Sequence, residues 1–201
     1  MYSNMKSINK TSTAISTPIL KKSDEEFLMN IVWPIIKKTT IRKNSNRKNS
    51  GIGRSQVFGF GERRGLGFGA FANNKKFPLL WQVLAHFGAR AVPPEIPFTA
   101  IQVNHNYQTV EHVDKNNIGL SYSISFGDFT GGELVVEGKP FQTQLAPIIF
   151  NGALAKHYNN EIIGQRYSLV FFVSAPKKFT DEQIFDFHNQ ILENIKSKEE
   201  K

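Results

Sequence analysis

Apolar residues recur at two different periods along this chain, and the change of period near Pro97 divides it. Residues 1–22 are rich in Ser, Thr, Asn and Lys without periodicity, which predicts a disordered tail. Helical spacing begins at Ser23. Phe27, Leu28, Ile31, Val32, Ile35 and Ile36 share one face, Ser23 and Glu26 have capping-box spacing, and Pro34 should kink or end the helix. A polar linker covers 39–50. From Gly51 to Gly69 seven glycines alternate with Phe, Val and Leu, which predicts flexible strands or a hairpin near a ligand. No Gly-Lys-Ser/Thr follows, so this is not a phosphate loop. Pro78 to Ala89 is again helical and closed by Gly88, and Pro93, Pro94 and Pro97 then enforce an extended connection.

After Pro97 the period falls to two. Leu120, Tyr122, Ile124 and Phe126 alternate with Ser121, Ser123 and Ser125, the pattern of a strand with one buried side and one facing solvent or a cavity. Short strands at Glu133–Glu137, Ile148–Asn151 and Ser168–Val173, with glycine turns between them, predict a sandwich or jelly-roll barrel. A last helix is capped by Thr180 with Gln183, and Ile184, Phe187, Ile191, Leu192 and Ile195 form its apolar stripe. The expected organisation is a tail at 1–22 and one domain at 23–201, mainly β with flanking helices. Within it, helices, basic linker and glycine-rich hairpin occupy 23–97, the jelly-roll core 98–175 and the C-terminal helix 180–197.

Composition narrows the chemistry. With 201 residues and 40% hydrophobic content the chain can bury a sizeable core. It has no cysteine, which excludes disulfides and thiol catalysis and leaves His, Asp and Glu as metal ligands. No apolar run is long enough for a signal segment or membrane span, so the expectation is a soluble intracellular protein. The formal charge of +8 is concentrated: residues 1–76 hold 15 Lys and Arg against 4 acids, and residues 77–201 hold 10 against 13. The basic segment 37–64 includes Arg42, Lys43, Arg47, Lys48, Arg63 and Arg64, a pattern that attracts DNA or RNA and equally describes a solvated flexible loop.

His112-Val113-Asp114 is the first chemical signal. On a strand, positions i and i+2 point to one side, so His112 and Asp114 can hold one ion with Val113 facing away. The same triplet is also an ordinary polar pair at a strand end. His157 follows 43 residues after Asp114, where a barrel can return it to the same mouth as a third ligand. Two histidines and one carboxylate leave open positions that suit ferrous iron binding a bidentate co-substrate and dioxygen. Arg166 and Ser168 then share one face of the next strand, an arginine fork with a hydroxyl that can grip a carboxylate. A surface salt bridge is the alternative for Arg166, and it fits poorly with the apolar run Leu169–Val173. His86 reads as a core or helix-end residue and His188 as the polar edge of the last helix. His105 is out of phase with Asn104 and is not assigned as a ligand. Phe126, Phe129, Phe171 and Phe172 read as packing.

His-x-Asp, a distant His and Arg-x-Ser, in that order over residues 98–175, resemble the Fe(II)/2-oxoglutarate dioxygenases, whose fold is the double-stranded β-helix, a cupin-like jelly roll. The segments VNHNYQTVEHVDKNNIG, FGDFTGGELVV, FNG and GQRYSLVFF are most similar to the TET and J-base-binding branch, whose members oxidise methyl groups on nucleic-acid bases. The resemblance implies His112, Asp114 and His157 as iron ligands, Arg166 and Ser168 as the 2-oxoglutarate anchor, and Asn104 and Tyr107 as further co-substrate contacts. It implies dioxygen as the oxidant, with succinate and carbon dioxide released as a C–H bond is oxidised. A protein prolyl or lysyl hydroxylase is the rival reading, since it would use the same iron and co-substrate. An inactive metal- or ligand-binding barrel is another, and the intact four-residue pattern argues against it.

Overall fold

The structure is a computed structural model and describes residues 8, 10, 11, 13, 15–43, 52–63 and 65–199. Arg47, Lys48 and Arg64 of the basic segment lie outside the described residues. Helices lead: α1 (Lys22–Phe27), a π-helical turn (Leu28–Val32) and α2 (Trp33–Lys38) run on without a break. Pro34 therefore neither ends the helix nor stands alone in it. It lacks the N–H that an α-helix would use there, and the wider π turn just before it accommodates the lost bond. The start also differs from the capping-box reading. Lys21 is the N-cap, with no side-chain cap, and Ser23 lies inside the first turn.

Strands β1 (Ile52–Arg63) and β2 (Gly67–Ala70) form the hairpin expected from the glycine-rich stretch, pairing Phe60 with Ala70 and Arg63 with Gly67. Two helices follow, α3 (Ala72–Lys76) and α4 (Pro78–Ala91). Gly88 does not close α4, which continues to Ala91. A side chain at Gly88 would meet the Phe98 and Phe171 rings at 2.7 Å, so the glycine is there for close packing and not as a cap.

The remaining strands are β3 (Ala100–Gln108), β4 (Ile118–Gly131), β5 (Leu134–Val136), β6 (Lys139–Phe141), β7 (Ile148–Phe150), β8 (His157–Asn159) and β9 (Ile162–Val173). They make a six-stranded antiparallel sheet in the order β2-β1-β3-β9-β4-β7 and a three-stranded sheet in the order β6-β5-β8. Two facing sheets wound from alternating strands are the jelly-roll, double-stranded β-helix architecture that the turn spacing predicts.

Alternation along the large sheet decides which layer each side chain joins. Ile101 and Val103 of β3, Tyr122, Ile124 and Phe126 of β4, and Leu169 and Phe171 of β9 are buried against Leu28, Val32, Leu84, Phe87 and Ile191 of the helices. Gln102, Asn104, Ser123, Arg166 and Ser168 point the other way and line a cavity between the sheets. The serines of β4 are thus the cavity side of the strand.

Helix α5 (Asp181–Glu199) closes the core. Thr180 and Gln183 exchange reciprocal bonds of 2.9 and 3.2 Å, the capping box expected there. His188 is not on its polar edge. It is 4% exposed, with Nδ1 within 3.3 Å of the Phe98 backbone. His86 is half-buried and stacks on Phe27 at 4.9 Å. The described part of the tail makes specific contacts: Ser16 pairs with Ile149 at the edge of β7, and Ile8 is buried with its N–H donated to Asp181. No helix among the described residues is long and apolar enough to cross a membrane.

Gly88→Val should lower the midpoint of urea unfolding by an amount equivalent to about 1 to 3 kcal/mol, because the added atoms must displace two buried rings. A midpoint at or above that of the parent would show that α4 can shift away from β9 at no cost.

Candidate metal centre and carboxylate pocket

His112 and His157 face each other across an isolated antiparallel bridge. The His112 N–H donates to the His157 carbonyl at 3.1 Å and the His157 N–H returns to the His112 carbonyl at 2.9 Å. Only His157 lies in a strand. β3 stops at Gln108, so the His112-Val113-Asp114 segment is not the regular strand that i, i+2 reasoning assumed. The Asp114 N–H instead bonds the Gly152 carbonyl at 2.7 Å, which turns the segment toward β4 and still delivers both side chains to one place.

One ligand atom from each of His112, Asp114 and His157 lies within 4.8 Å of the others. Each imidazole Nε2 is 3.6 Å from a different oxygen of Asp114. The Nδ1 of His112 is 2.7 Å from the Val110 carbonyl, and that of His157 is 2.9 Å from the Ala155 carbonyl. A carbonyl only accepts, so both Nδ1 atoms carry hydrogen and both Nε2 lone pairs are left for the centre. Phe150 holds the His157 ring edge-on at 5.0 Å, and the Asn117 amide donates to Asp114 at 3.2 Å. Burial alone would raise the Asp114 carboxyl, but His112 and His157 outweigh it and hold the group well below the usual carboxylate range. The centre is asymmetric: the His157 side chain is 7% exposed, against 29% for His112 and 36% for Asp114, so it is open on the side of the latter two.

The three groups share a cavity of roughly 170 Å³ with Arg166, Ser168, Asn104 and Tyr107. Every residue expected as a metal ligand or co-substrate contact therefore lines one cavity. Arg166 starts on β9 opposite Gly127 and is 4% exposed. Its Nη2 donates to Thr143 at 3.2 Å, its Nε is buried without a partner, and Phe129 lies beneath the guanidinium at 5.7 Å. Burial pushes the guanidinium down to about 10, with Glu133 acting in the opposite direction, so it remains a cation at neutral pH. No salt bridge joins it to a carboxylate among the described residues. A buried cation of this kind is costly unless a counter-ion is supplied, and a small carboxylate in the cavity would supply it. Asn104 pairs with Ser168 in the β3–β9 register and donates to its hydroxyl at 3.2 Å, so the two present a joined polar patch.

Several supporting residues were not singled out. Asn106, at a φ of 46° that asparagine tolerates, accepts the Arg166 N–H at 2.7 Å. Gly132 read only as a turn residue, yet a side chain there would meet Arg166 Cδ at 2.8 Å. Thr143 carries no periodic or turn signal. Phe172 and Phe129 touch the cavity and the guanidinium, whereas Phe126 and Phe171 are core as expected. His105 is in phase with Val103, on the helix side of the sheet, where it stacks on Tyr167 at 4.4 Å.

No family model and no curated protein matches the sequence. Solved structures do match the fold. NgTET1, solved in complex with 5mC DNA, is similar with a TM-score of 0.57 and 16% identity, over 88% of this chain and 80% of that one. OsALKBH1 is similar with a TM-score of 0.52 and 15% identity, over 81% of this chain and 99% of that one. The chain thus shares the double-stranded β-helix fold expected from its sequence.

His112→Ala, Asp114→Ala and His157→Ala should each abolish stoichiometric ferrous iron binding in anaerobic titration calorimetry while the circular dichroism spectrum stays that of the parent. Each removes one of the three clustered candidate ligands found among the described residues, none of which belongs to the main packed core. Retention of one iron per chain by all three variants would mean that the cluster is not the metal centre.

Proposed function

We propose that this chain is an Fe(II)- and 2-oxoglutarate-dependent dioxygenase acting on a methyl group of a nucleic-acid base. The observation that carries the reading is the buried, uncompensated Arg166 in one cavity with the His112, Asp114 and His157 cluster. A cation at one end and a three-ligand centre with free positions at the other match a dicarboxylic keto acid, which needs a counter-charge for one end and a metal for the other. Fe(II) therefore fits His112, Asp114 and His157, and the distal carboxylate of 2-oxoglutarate fits Arg166.

When bound together, iron, 2-oxoglutarate and dioxygen supply the oxidation: the keto acid leaves as succinate and carbon dioxide, one oxygen atom enters succinate and the other a C–H bond. The chain's own residues position and shield. The Val110 and Ala155 carbonyls keep each imidazole in the Nε2-ligating tautomer. Asp114 stays anionic and supplies negative charge to the metal face. Arg166 fixes the co-substrate's orientation, with Ser168 and Asn104 beside it and Tyr107 closing the β3 side of the cavity. The apolar walls from Leu134, Phe150, Val170 and Phe172 limit water at the reacting centre.

The nucleic-acid substrate is supported by the sequence likeness to the TET and J-base-binding branch, by a similar fold that was solved holding 5mC DNA, and by the basic N-terminal third. A base must leave its stack to enter a cavity, so single-stranded or mismatched substrates should react faster than matched duplex.

Two measurements test this. Arg166→Ala should raise the 2-oxoglutarate concentration needed for half-saturation by one to three orders of magnitude, a loss of about 2 to 4 kcal/mol, with iron affinity changed far less. An unchanged half-saturation would place the anchor elsewhere. Incubation with iron, 2-oxoglutarate and a panel of methylated DNA, RNA and peptides should give a mass increase of one oxygen in a nucleic-acid member. Oxidation confined to peptides would make the enzyme a protein hydroxylase.

A further inference from the structure

A second cleft, of roughly 280 Å³, lies on the helix side of the large sheet, lined by Lys37, Lys38, Thr39, Arg54, His105 and Tyr167 among others. We infer that this cleft binds the phosphodiester backbone of a nucleic-acid strand, as a site separate from the metal pocket. The inference rests on the nucleic-acid reading above and assigns that reading a surface.

The cleft is built, not merely charged. After α2 the chain runs extended along β1: the Ser55 N–H donates to the Arg42 carbonyl at 3.1 Å, Gln56 Nε2 to the Thr40 carbonyl at 3.3 Å and Arg54 Nη1 to the Ile41 carbonyl at 3.1 Å. Lys43 bridges to Arg54. These bonds tie the 40–43 segment to Arg54–Gln56, so that Lys37, Lys38 and Arg54 line the cleft and Arg42 and Lys43 continue the chain beside it, all five exposed. No acid occurs between Lys37 and Arg54 in sequence, and no carboxylate pairs with any of the five among the described residues. The C-terminal end of α2 attracts Lys37 and Lys38 through its dipole, but it gives no reason for Arg42 and Lys43 of the extended segment to lie beside Arg54 of β1. The arginine keeps further donors beyond the one that meets Ile41, in the fork geometry that suits phosphate oxygens. At the floor the His105 ring lies parallel to Tyr167, 3° between planes, and is held by Gln165 at 2.7 Å. Cations beside aromatic rings are the combination by which proteins follow single strands.

Strand alternation separates this site from the chemistry. His105 and Tyr167 face the cleft, while their neighbours Asn104, Arg166 and Ser168 face the metal pocket. The cleft therefore does not feed the iron. It holds nucleic acid flanking the target base, and only a strand long enough to pass the sheet margin engages both sites.

The test uses the 201-residue chain without iron or 2-oxoglutarate and fluorescein-labelled single strands of about 20 nucleotides, as DNA and as RNA, read by anisotropy over a range of salt. Lys38→Glu, Arg42→Glu and Lys43→Glu together should weaken binding by about tenfold or more and reduce the salt slope by about 2 to 3, since each phosphate contact contributes about 0.7 to 0.9. The DNA and RNA arms identify the preferred backbone. Lys139→Glu, Lys177→Glu and Lys178→Glu make the same change in net charge on exposed residues elsewhere and should leave the slope unchanged. Equal losses in both triple variants, no loss in the first, or displacement of the strand by polyglutamate as readily as by unlabelled oligonucleotide would overturn the inference. Succinate formation without nucleic acid, measured in parallel, keeps the two readings apart. If it is absent in the parent while the cleft variant still loses oligonucleotide binding, the cleft stands and the oxygenase reading falls. If it is present and the cleft variant binds as the parent does, the reverse holds.

Discussion

The paired backbone exchange between His112 and His157 is the constraint on which the site depends. Two segments 45 residues apart are joined N–H to carbonyl in both directions, and the imidazole centroids come to 4.3 Å. Two rings so close, each with Nδ1 tied to a carbonyl two residues earlier, have little choice but to aim Nε2 the same way. Asp114 completes the cluster because Gly152 receives its N–H, and Gly152 has no side chain to crowd the carboxylate, which a Cβ would approach at 3.2 Å. The small sheet carries this geometry. Val136 pairs with His157 in the β5–β8 register, and Leu134, Val136, Ile148, Phe150 and Ala155 form a core directly behind it.

Charge is organised around that frame by opposite solutions within one cavity. Asp114 is an anion between two imidazoles and is stabilised by them. Arg166 is a cation in an apolar setting, with one hydroxyl, an aromatic face and a distant glutamate for company. Neutral residues would fill the same space more stably, since burying an unpaired charge is costly. Such a cost beside a candidate metal centre is the mark of a site built for a ligand that brings the missing negative charge.

The large sheet separates functions by the period of a strand. Its helix side is continuous hydrophobic core that ends, at the margin, in the basic cleft. Its inner side is polar and faces the small sheet. Ser123 lines the cavity floor, while Tyr122, Ile124 and Phe126 anchor the same strand to the helices. The described tail adds Ser16 to the exposed edge of β7, so that edge is not left open for another chain.

Local pattern determined a good deal of this protein. Alternation along 120–126 marked which side of β4 is core, Thr180 and Gln183 marked the start of α5, the glycines at 51–69 marked a hairpin, and the order His-x-Asp, His, Arg-x-Ser picked out side chains that the fold brings into one cavity. These signals survive because each depends on neighbours within a few residues or on a whole pattern kept in order. Tertiary structure decided the rest. Ser23 was not a cap because the helix began two residues earlier than its spacing implied, and Gly88 stayed within α4 because the rings of Phe98, just before β3, and Phe171, on β9, needed its missing side chain. His188 was drawn into the core by the Phe98 backbone, 90 residues away. The His112 segment left regular strand geometry because its partners are His157 and Gly152, on elements that no local period foretells. Thr143, Asn106 and Gly132 meet Arg166 only after β4 and β9 have paired. Periodicity reports the face a side chain will take. What that side chain meets there is set by contacts whose separation in sequence leaves no local trace.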